Sequence, residues 1–292
     1  MDAIFYQQII NAIMLGSVYG LVAVGFTLLF GVLGVINLAH GETAMIGAFL
    51  ALTGARLGLP LPVAVVVAGA GTAALAVVVE RVCFRPFRKA DILIPMLSTI
   101  GMSIFLQRMA SVTWGADVVA YKVGMEVITY QLGVVQVSSV HFIIVALALV
   151  LMFALSYLIY KTKVGRGLRA VAENPDIARS IGINAGPIII LAFAVSGPIA
   201  GVAGILVGLN TVNVSPFMGV EMGLKALVAV VLGGMGNVYG AMAAGVIIGF
   251  AETFTTGYLS SSYRDWVVYG LLLLVLLLRP EGLLGRIESR RV

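Results

Sequence analysis

Long apolar runs fill most of the chain, and short polar stretches separate them. Eight such runs can be drawn, over 4–33, 41–57, 61–80, 92–107, 140–160, 187–209, 223–257 and 265–279. Each is near or above the ~20 residues that cross a hydrocarbon core as a helix, or short of it by a turn or so. The runs are continuous and do not alternate with a period of two, which argues against a β-barrel. In lipid every backbone N–H and C=O must be satisfied within its own segment, so such runs become helices. The pattern predicts an all-α fold, a polytopic transmembrane helical bundle of about eight apolar segments. The first and seventh runs are too long for one simple crossing.

Composition agrees with the pattern. Of 292 residues, 61% are hydrophobic and 11% charged, against about 45–50% and about 25% in soluble domains. Glycine is abundant, at 35 residues, as close helix contacts in membranes favour. The opening "MDAIFYQQII" has no basic n-region, so the first run is expected to stay as a span. Cys83 is the single cysteine, which leaves no intrachain disulfide to form.

A net charge of +5 would suit nucleic acid, but the positions of the charges say otherwise. Thirteen of the eighteen Lys and Arg residues fall in three groups. These are Arg81, Arg85, Arg88 and Lys89; then Lys161, Lys163, Arg166, Arg169 and Arg179; then Arg279, Arg286, Arg290 and Arg291. The positive-inside rule puts all three in the cytoplasm. Their expected neighbours are anionic lipid headgroups, and no nucleic-acid partner is expected.

Parity then constrains the seventh run. The sixth starts inside and ends outside, and the tail after the eighth is inside. The seventh must cross twice or not at all. It reads "GLKALVAVVLGGMGNVYGAMAAGVIIGFAETF", broken by "GGMGNVYG" at 233–240. Its limbs, about 11–18 residues, are short for a full span at 1.5 Å per residue. A re-entrant hairpin entering from outside is expected, with an ordinary kinked helix as the alternative. Glu221 and Lys225, four apart in the favourable order, belong at its outer mouth. The outer loop 108–138 carries Trp114, Tyr121 and Tyr130, expected at the membrane interface; short strands there are left open. In the sixth run, Gly197/Gly201 and Gly204/Gly208 are small-xxx-small pairs for close helix contact, within the chain or with a second subunit. Pro198 removes a helix hydrogen bond between them.

"GVINLAHGE" (34–42) sets Asn37, His40 and Glu42 beside Gly34 and Gly41, between two apolar runs. One reading is a polar turn, with Asn37 or His40 capping frayed backbone groups. The other sets the turn against a translocation path. "GGMGNVYG" repeats the design with Gly233, Gly234, Gly236 and Asn237. Two Gly-broken segments in corresponding positions are a sequence pointer to a transport pathway.

The cytoplasmic loop 161–186 contains "AENPDIARSIG", a well-punctuated short helix. After Glu173, Asn174 can cap, Pro175 suits the first helical position, and Asp176 complements the helix N-terminus. Gly182 suits the stop. Ile177, Ala178 and Ile181 fall on one face by spacing. So short a helix is marginal alone and needs a surface. That surface is either the membrane base of the chain itself or the groove of a soluble partner.

"GVINLAHGE", "RAVAENPDIARSIGIN" and "VVLGGMGNVYGAMAAGVIIG", in this order and over nearly the whole chain, closely resemble the branched-chain amino-acid permeases of ABC importers. The resemblance implies a single permease domain over 1–292 in the bacterial cytoplasmic (inner) membrane. It makes 175–181 a coupling helix that docks into an ATPase. It implies two ATPase subunits, a second homologous permease subunit and an extracytoplasmic substrate-binding protein as partners. The wider Glu-Ala-Ala…Gly loop of importer permeases is degenerate here, since Asn174 and Pro175 follow Glu173. Relatives with the same motifs carry urea or short amides, which leaves that substrate class as an alternative.

What is missing narrows the mechanism. No G-x-x-x-x-G-K-[ST] occurs, so the chain has no phosphate cradle and is not expected to hydrolyse ATP. His40 and His141 are a hundred residues apart and no Cys/His cluster accompanies them, so no metal or other cofactor is expected. No Ser-His-Asp motif suggests an enzyme. An ion-coupled carrier needs ionisable groups at membrane depth, and His40, Glu42, Glu252 and Lys225 are the few candidates. Glu42 and Glu252 fall near segment ends, where a carboxylate can reach water.

Overall fold

The computed structural model describes residues 2–285 apart from Lys89, 125–126 and 133–134. Of the basic groups above, Lys89, Arg286, Arg290 and Arg291 lie outside the described residues. The helices are α1 (Asp2–Leu33), α2 (His40–Arg56), α3 (Leu61–Val79), α4 (Leu93–Trp114), α5 (Ser139–Lys161), α6 (Lys163–Glu173), α7 (Pro175–Ser180), α8 (Ala185–Thr211), α9 (Met218–Gly233), α10 (Val238–Tyr258) and α11 (Arg264–Leu278). Four short strands, β1 (Val119–Ala120), β2 (Thr129–Leu132), β3 (Val135–Ser138) and β4 (Asn213–Val214), complete the fold. β2 and β3 form an antiparallel hairpin, and β1 pairs antiparallel with β4, Val119 opposite Val214.

Among the described residues, seven helices are long and apolar enough to cross a membrane. The 17-residue α2 and 16-residue α9 fall just short. The expected count of about eight therefore resolves into seven full-length spans and two shorter helices. The first run, expected to be too long for one crossing, is one unbroken 32-residue helix, about 48 Å long at 1.5 Å per residue. α1 is the hub of the bundle: 83% of its most apolar window is buried, against 6% for α11. An apolar helix buried all round is what a central membrane helix requires. α3 continues through a π turn (Glu80–Phe84) and a 3₁₀ turn (Arg85–Phe87). There the fully buried Glu80 holds Arg88 at 2.5 Å.

The basic groups gather at one end. Arg88 lies beside Gly186 at the start of α8, and Arg169 of α6 borders one cavity with Pro280 and Glu281 beyond α11. That end is the cytoplasmic one by the positive-inside rule.

The glycines act through close approach. Gly16 and Gly20 of α1 sit on Gly245 and Gly249 of α10, backbone against backbone. On α8, Gly197 and Gly201 face Thr72 of α3, Gly204 faces Ala44 of α2, and Gly208 faces the Tyr121 ring. Both small-xxx-small pairs thus serve contacts inside the chain.

Three expectations change. First, α10 runs antiparallel along nearly all of α1, with Gln8 beside Gly257 and Gly31 beside Gly236. The hairpin therefore reaches as deep as α1 does, and its tip meets the segment after α11: Leu283 N–H and Leu284 N–H donate to Leu232 O (2.8 Å) and Gly233 O (3.1 Å). The break at 233–237 is real, and its two limbs differ: α10 has 21 residues, enough for a hydrocarbon core of about 30 Å, while the 16-residue α9 falls just short of a span. Second, Trp114 and Tyr121 pack inward instead of lying at the interface. Trp114 stacks on Phe49 at 5.0 Å and donates to Thr53 at 2.8 Å. Tyr121 is buried, which raises its phenol above the usual range; Tyr130 is exposed. Third, α6 is a second helix in the cytoplasmic loop, capped by Thr162, whose hydroxyl accepts from Gly165 N–H at 3.1 Å.

Candidate functional site

The outer end holds a cavity of about 410 Å³ between α1, α8, α9, α10 and the start of α11. Its wall is largely aliphatic, with Leu15, Val18, Val207 and Met222 among the lining residues. Tyr19, Glu221, Glu252 and Arg264 also face it. Behind these groups sits Lys225, 1% exposed. Its ammonium donates to Glu252 at 2.9 Å and Glu221 at 3.0 Å, and pairs with Asp265 at 3.3 Å. Arg264 donates to Glu221 at 2.7 Å. Tyr19 O–H donates to the other oxygen of Glu252 at 2.9 Å. A buried ion pair is tolerated only when its remaining hydrogen-bonding capacity is met, and here four helices supply the partners.

The Glu221/Lys225 pair was legible from its spacing and forms at 3.0 Å; Glu221 stands at the outer mouth as expected, while Lys225 is buried behind it. Glu252 was expected to reach water from a helix end; instead it is 5% exposed, six residues inside α10. Tyr19, Arg264 and Asp265 were missed. The charged pair opening the last apolar run was a usable signal for the latter two; nothing marks Tyr19.

At the inner end lie the two glycine-broken turns. Gly34 has φ +66°, while Gly234 and Gly236 have φ +99° and +84°, values that favour glycine. The turns are neighbours, since Gly31 lies against Gly236. Asn37 closes a turn rather than capping α2: its side-chain oxygen accepts from Ala39 N–H at 3.2 Å, and α2 starts at the N-cap Ala39 without a side-chain cap. Asn237 caps α10 through Gly240 N–H (3.0 Å) and donates to Leu284 O (2.8 Å). Gly233 packs on Gly240, and Gly236 and Asn237 border an inner cavity of about 790 Å³ with Phe30, Arg169 and Tyr239.

His40 and Glu42 begin α2 and are each 1% exposed. His40 meets the Phe26 ring edge-on at 4.6 Å. One Glu42 oxygen accepts from Ser103 and Gln107, both at 3.0 Å; the other faces Gly219 of α9. Glu42 thus sits inside helix packing and not at a wet segment end, because Gly41 lets α2 touch Gly219 and Gly223 directly. Gly41 serves this approach rather than a bend. Neither His40 nor Glu42 borders the outer or the inner cavity.

α7 projects from the same inner end. Asn174 Oδ1 accepts from Asp176 N–H (2.9 Å) and Ile177 N–H (3.1 Å), and Pro175 follows as the first helical residue. Gly182 at φ +86° closes it, with Gly182 N–H on Arg179 O (3.0 Å) and Ile183 N–H on Ala178 O (2.9 Å). This double bond pattern is a Schellman stop. Ile177 and Ile181 are 62% and 68% exposed, but Ala178 is 1% exposed. The expected three-residue face therefore divides. Ala178 roots the helix on its own chain, and two isoleucines point away from it. Glu173, the last residue of α6, is exposed beside this root.

Comparison with known proteins places this architecture. Residues 8–276 match the family described as branched-chain amino acid transport system / permease component. The chain is 38% identical over 304 residues to the Escherichia coli K12 high-affinity branched-chain amino acid transport system permease protein LivH, covering 99% of this chain and 98% of that one. It is equally similar, 38% over 301 residues with the same coverage, to the Pseudomonas aeruginosa permease protein BraD. Among solved structures, PsaBC from Streptococcus pneumoniae in complex with Fab matches with a TM-score of 0.51 at 11% identity, covering 93% of this chain and 91% of that one. That last likeness concerns the fold alone. The chain belongs to the branched-chain amino-acid permease family, and it is a multi-pass protein of the inner membrane.

Proposed function

We propose that this chain is the membrane-spanning permease subunit of an ABC importer for branched-chain amino acids. The observation that carries the reading is the near-full-length similarity to permeases of that transport system. The chain carries no phosphate-binding loop, so it does not hydrolyse ATP itself. Separate ATPase subunits drive it, and an extracytoplasmic substrate-binding protein delivers leucine, isoleucine or valine to the outer mouth. Two ATPases and a second homologous permease chain complete the assembly.

α7 is the coupling element of this scheme. Two exposed isoleucines on a helix fixed at both ends suit the groove of a soluble partner. Asn174, Pro175 and Gly182 hold the helix in shape, Ala178 roots it, Ile177 and Ile181 enter the groove, and the exposed Glu173 lies at the edge of the same surface. Closing of the ATPase dimer pulls this peg, and the motion passes through α6 and α8 into the bundle. The glycine turns at 34–42 and 233–237 form the inner gate, with Asn37, Gly233, Gly234, Gly236 and Asn237 allowing it to bend. His40 and Glu42 brace α2 against α1, α4 and α9 beside that gate.

Reconstitution tests the proposal. With ATPases, binding protein and ATP, proteoliposomes should accumulate leucine. Accumulation by this chain alone under a sodium or proton gradient would replace the reading with an ion-coupled carrier.

A further inference from the structure

We infer that the outer cavity is a transient binding site for the free amino acid itself, with Glu252 and Glu221 taking the α-ammonium and Arg264 the α-carboxylate. The inference rests on the importer reading and deepens it by assigning substrate contacts within this chain.

The charge balance is the first argument. Around Lys225 gather three carboxylates, Glu221, Glu252 and Asp265, against two cations, Lys225 and Arg264. The cluster keeps one formal negative charge at the mouth of a largely aliphatic cavity. A cationic ligand group neutralises it, and desolvation there strengthens the attraction. The second argument is division of labour. Lys225 is buried and fully engaged, with three carboxylates around it. Arg264 is 40% exposed at its side chain, lines the cavity, and makes a close bond to Glu221 alone (2.7 Å), with Glu252 and Asp265 at a looser 3.9 and 3.7 Å, so its planar five-donor fork keeps N–H groups for a carboxylate. Donor and acceptor for a zwitterion thus face one space, fixed by different helices: Glu221 on α9, Glu252 on α10 and Arg264 on α11.

Shape is the third argument. The cavity, about 410 Å³, falls in the range of small-molecule sites, roughly 300–1,000 Å³. Leu15, Val18, Val207 and Met222 form its apolar side. An aliphatic side chain gains there by burial, without a polar group to select among leucine, isoleucine and valine. The site therefore reads the amino-acid backbone and accepts any branched aliphatic side chain. Affinity is modest, because the acidic groups are already shared with Lys225 and Arg264, and a ligand must compete for them.

Asn210 lines the same cavity and is half-buried, so a cysteine there reports occupancy. The complete transporter carrying Asn210→Cys is reconstituted without binding protein, and labelling of this chain by an aqueous maleimide is read by mass. The chain's own Cys83 is buried at the opposite end. L-leucine at millimolar concentrations should slow labelling. Isoamylamine, which lacks the carboxylate, and 4-methylpentanoate, which lacks the ammonium, should each need about tenfold more for the same protection, the cost of one lost charged hydrogen bond. Adding Arg264→Gln should weaken leucine protection about tenfold and leave that by isoamylamine no weaker, since the cluster becomes more negative by one charge; Arg264→Lys should recover part of the loss for leucine. Equal protection by all three compounds, or none by leucine, overturns the inference even where ATP-driven leucine uptake through the binding protein is intact. Absent uptake with leucine protection retained sinks the importer reading and keeps the site.

Discussion

The two ends of the molecule break the usual partition of side chains in opposite ways. At the outer end a lysine and a glutamate, Lys225 and Glu252, are buried to 1% and 5% exposure. At the inner end two isoleucines, Ile177 and Ile181, are more than 60% exposed on a helix capped at both ends. The first departure is compensated inside the chain, by Tyr19, Glu221, Asp265 and Arg264. The second has no compensation within the described residues. A violation met internally speaks of architecture or of a site; one left open speaks of a partner. Substitution should therefore act on the folded chain at the outer end and on assembly at the inner end.

The largest effect should come from Lys225→Met. It leaves Glu252 buried without its main cation, and breaking such a pair costs about 3–5 kcal/mol. The thermal midpoint of the purified chain should fall sharply, and Lys225→Met with Glu252→Met should recover most of the loss. A double variant no better than the single would show that the pair itself is not the cause. Next, Ile177→Asp should weaken ATPase association by about 2 kcal/mol or more, roughly 30-fold in Kd, as for other central interface anchors. The thermal midpoint of the isolated permease should stay the same. Unchanged ATPase binding would remove α7 from the interface and with it the contrast between the ends.

Gly201→Leu tests the middle of the bundle. Its new side chain meets Thr72 of α3, so overpacking should cost about 1–3 kcal/mol. The loss should appear in the isolated chain, because the contact lies within it. The smallest effect belongs to Asn174→Ala, which removes the cap of α7 at about 1 kcal/mol. Amide exchange of residues 177–181 should quicken severalfold, with no change at the outer network. Equal exchange in both proteins would mean that packing of Ala178, and not the cap, holds the peg. A topological check separates the ends directly: Met235→Cys should label from the cytoplasmic side and Ser261→Cys from outside.

Much of this was legible along the chain. Apolar runs, basic groups and the Asn-Pro-Asp…Gly punctuation of α7 are local signals, and each fixed its own element. The Glu221/Lys225 pair was visible because four residues make one helical turn. The failures have a common cause. Glu42 and Glu252 looked near water because they were near segment ends, yet neighbouring helices cover them. The limbs of the glycine hairpin look short when bounded at 223 and 257, whereas α9 begins at Met218; α10 carries Glu252 within its length because Lys225 and Tyr19 satisfy it there. Tyr19 joined the network with no sequence mark at all, 233 positions from its partner.

By itself the sequence determined the helical membrane class, the cytoplasmic face and the shape of α7, since backbone satisfaction in lipid, charge asymmetry and helix caps all act over short range. Tertiary structure alone decided which polar groups are buried together, which isoleucines remain uncovered and how deep the glycine turn reaches. Those outcomes depend on which helices approach closely, and closeness here is set by glycine-to-glycine contacts between segments far apart in the chain.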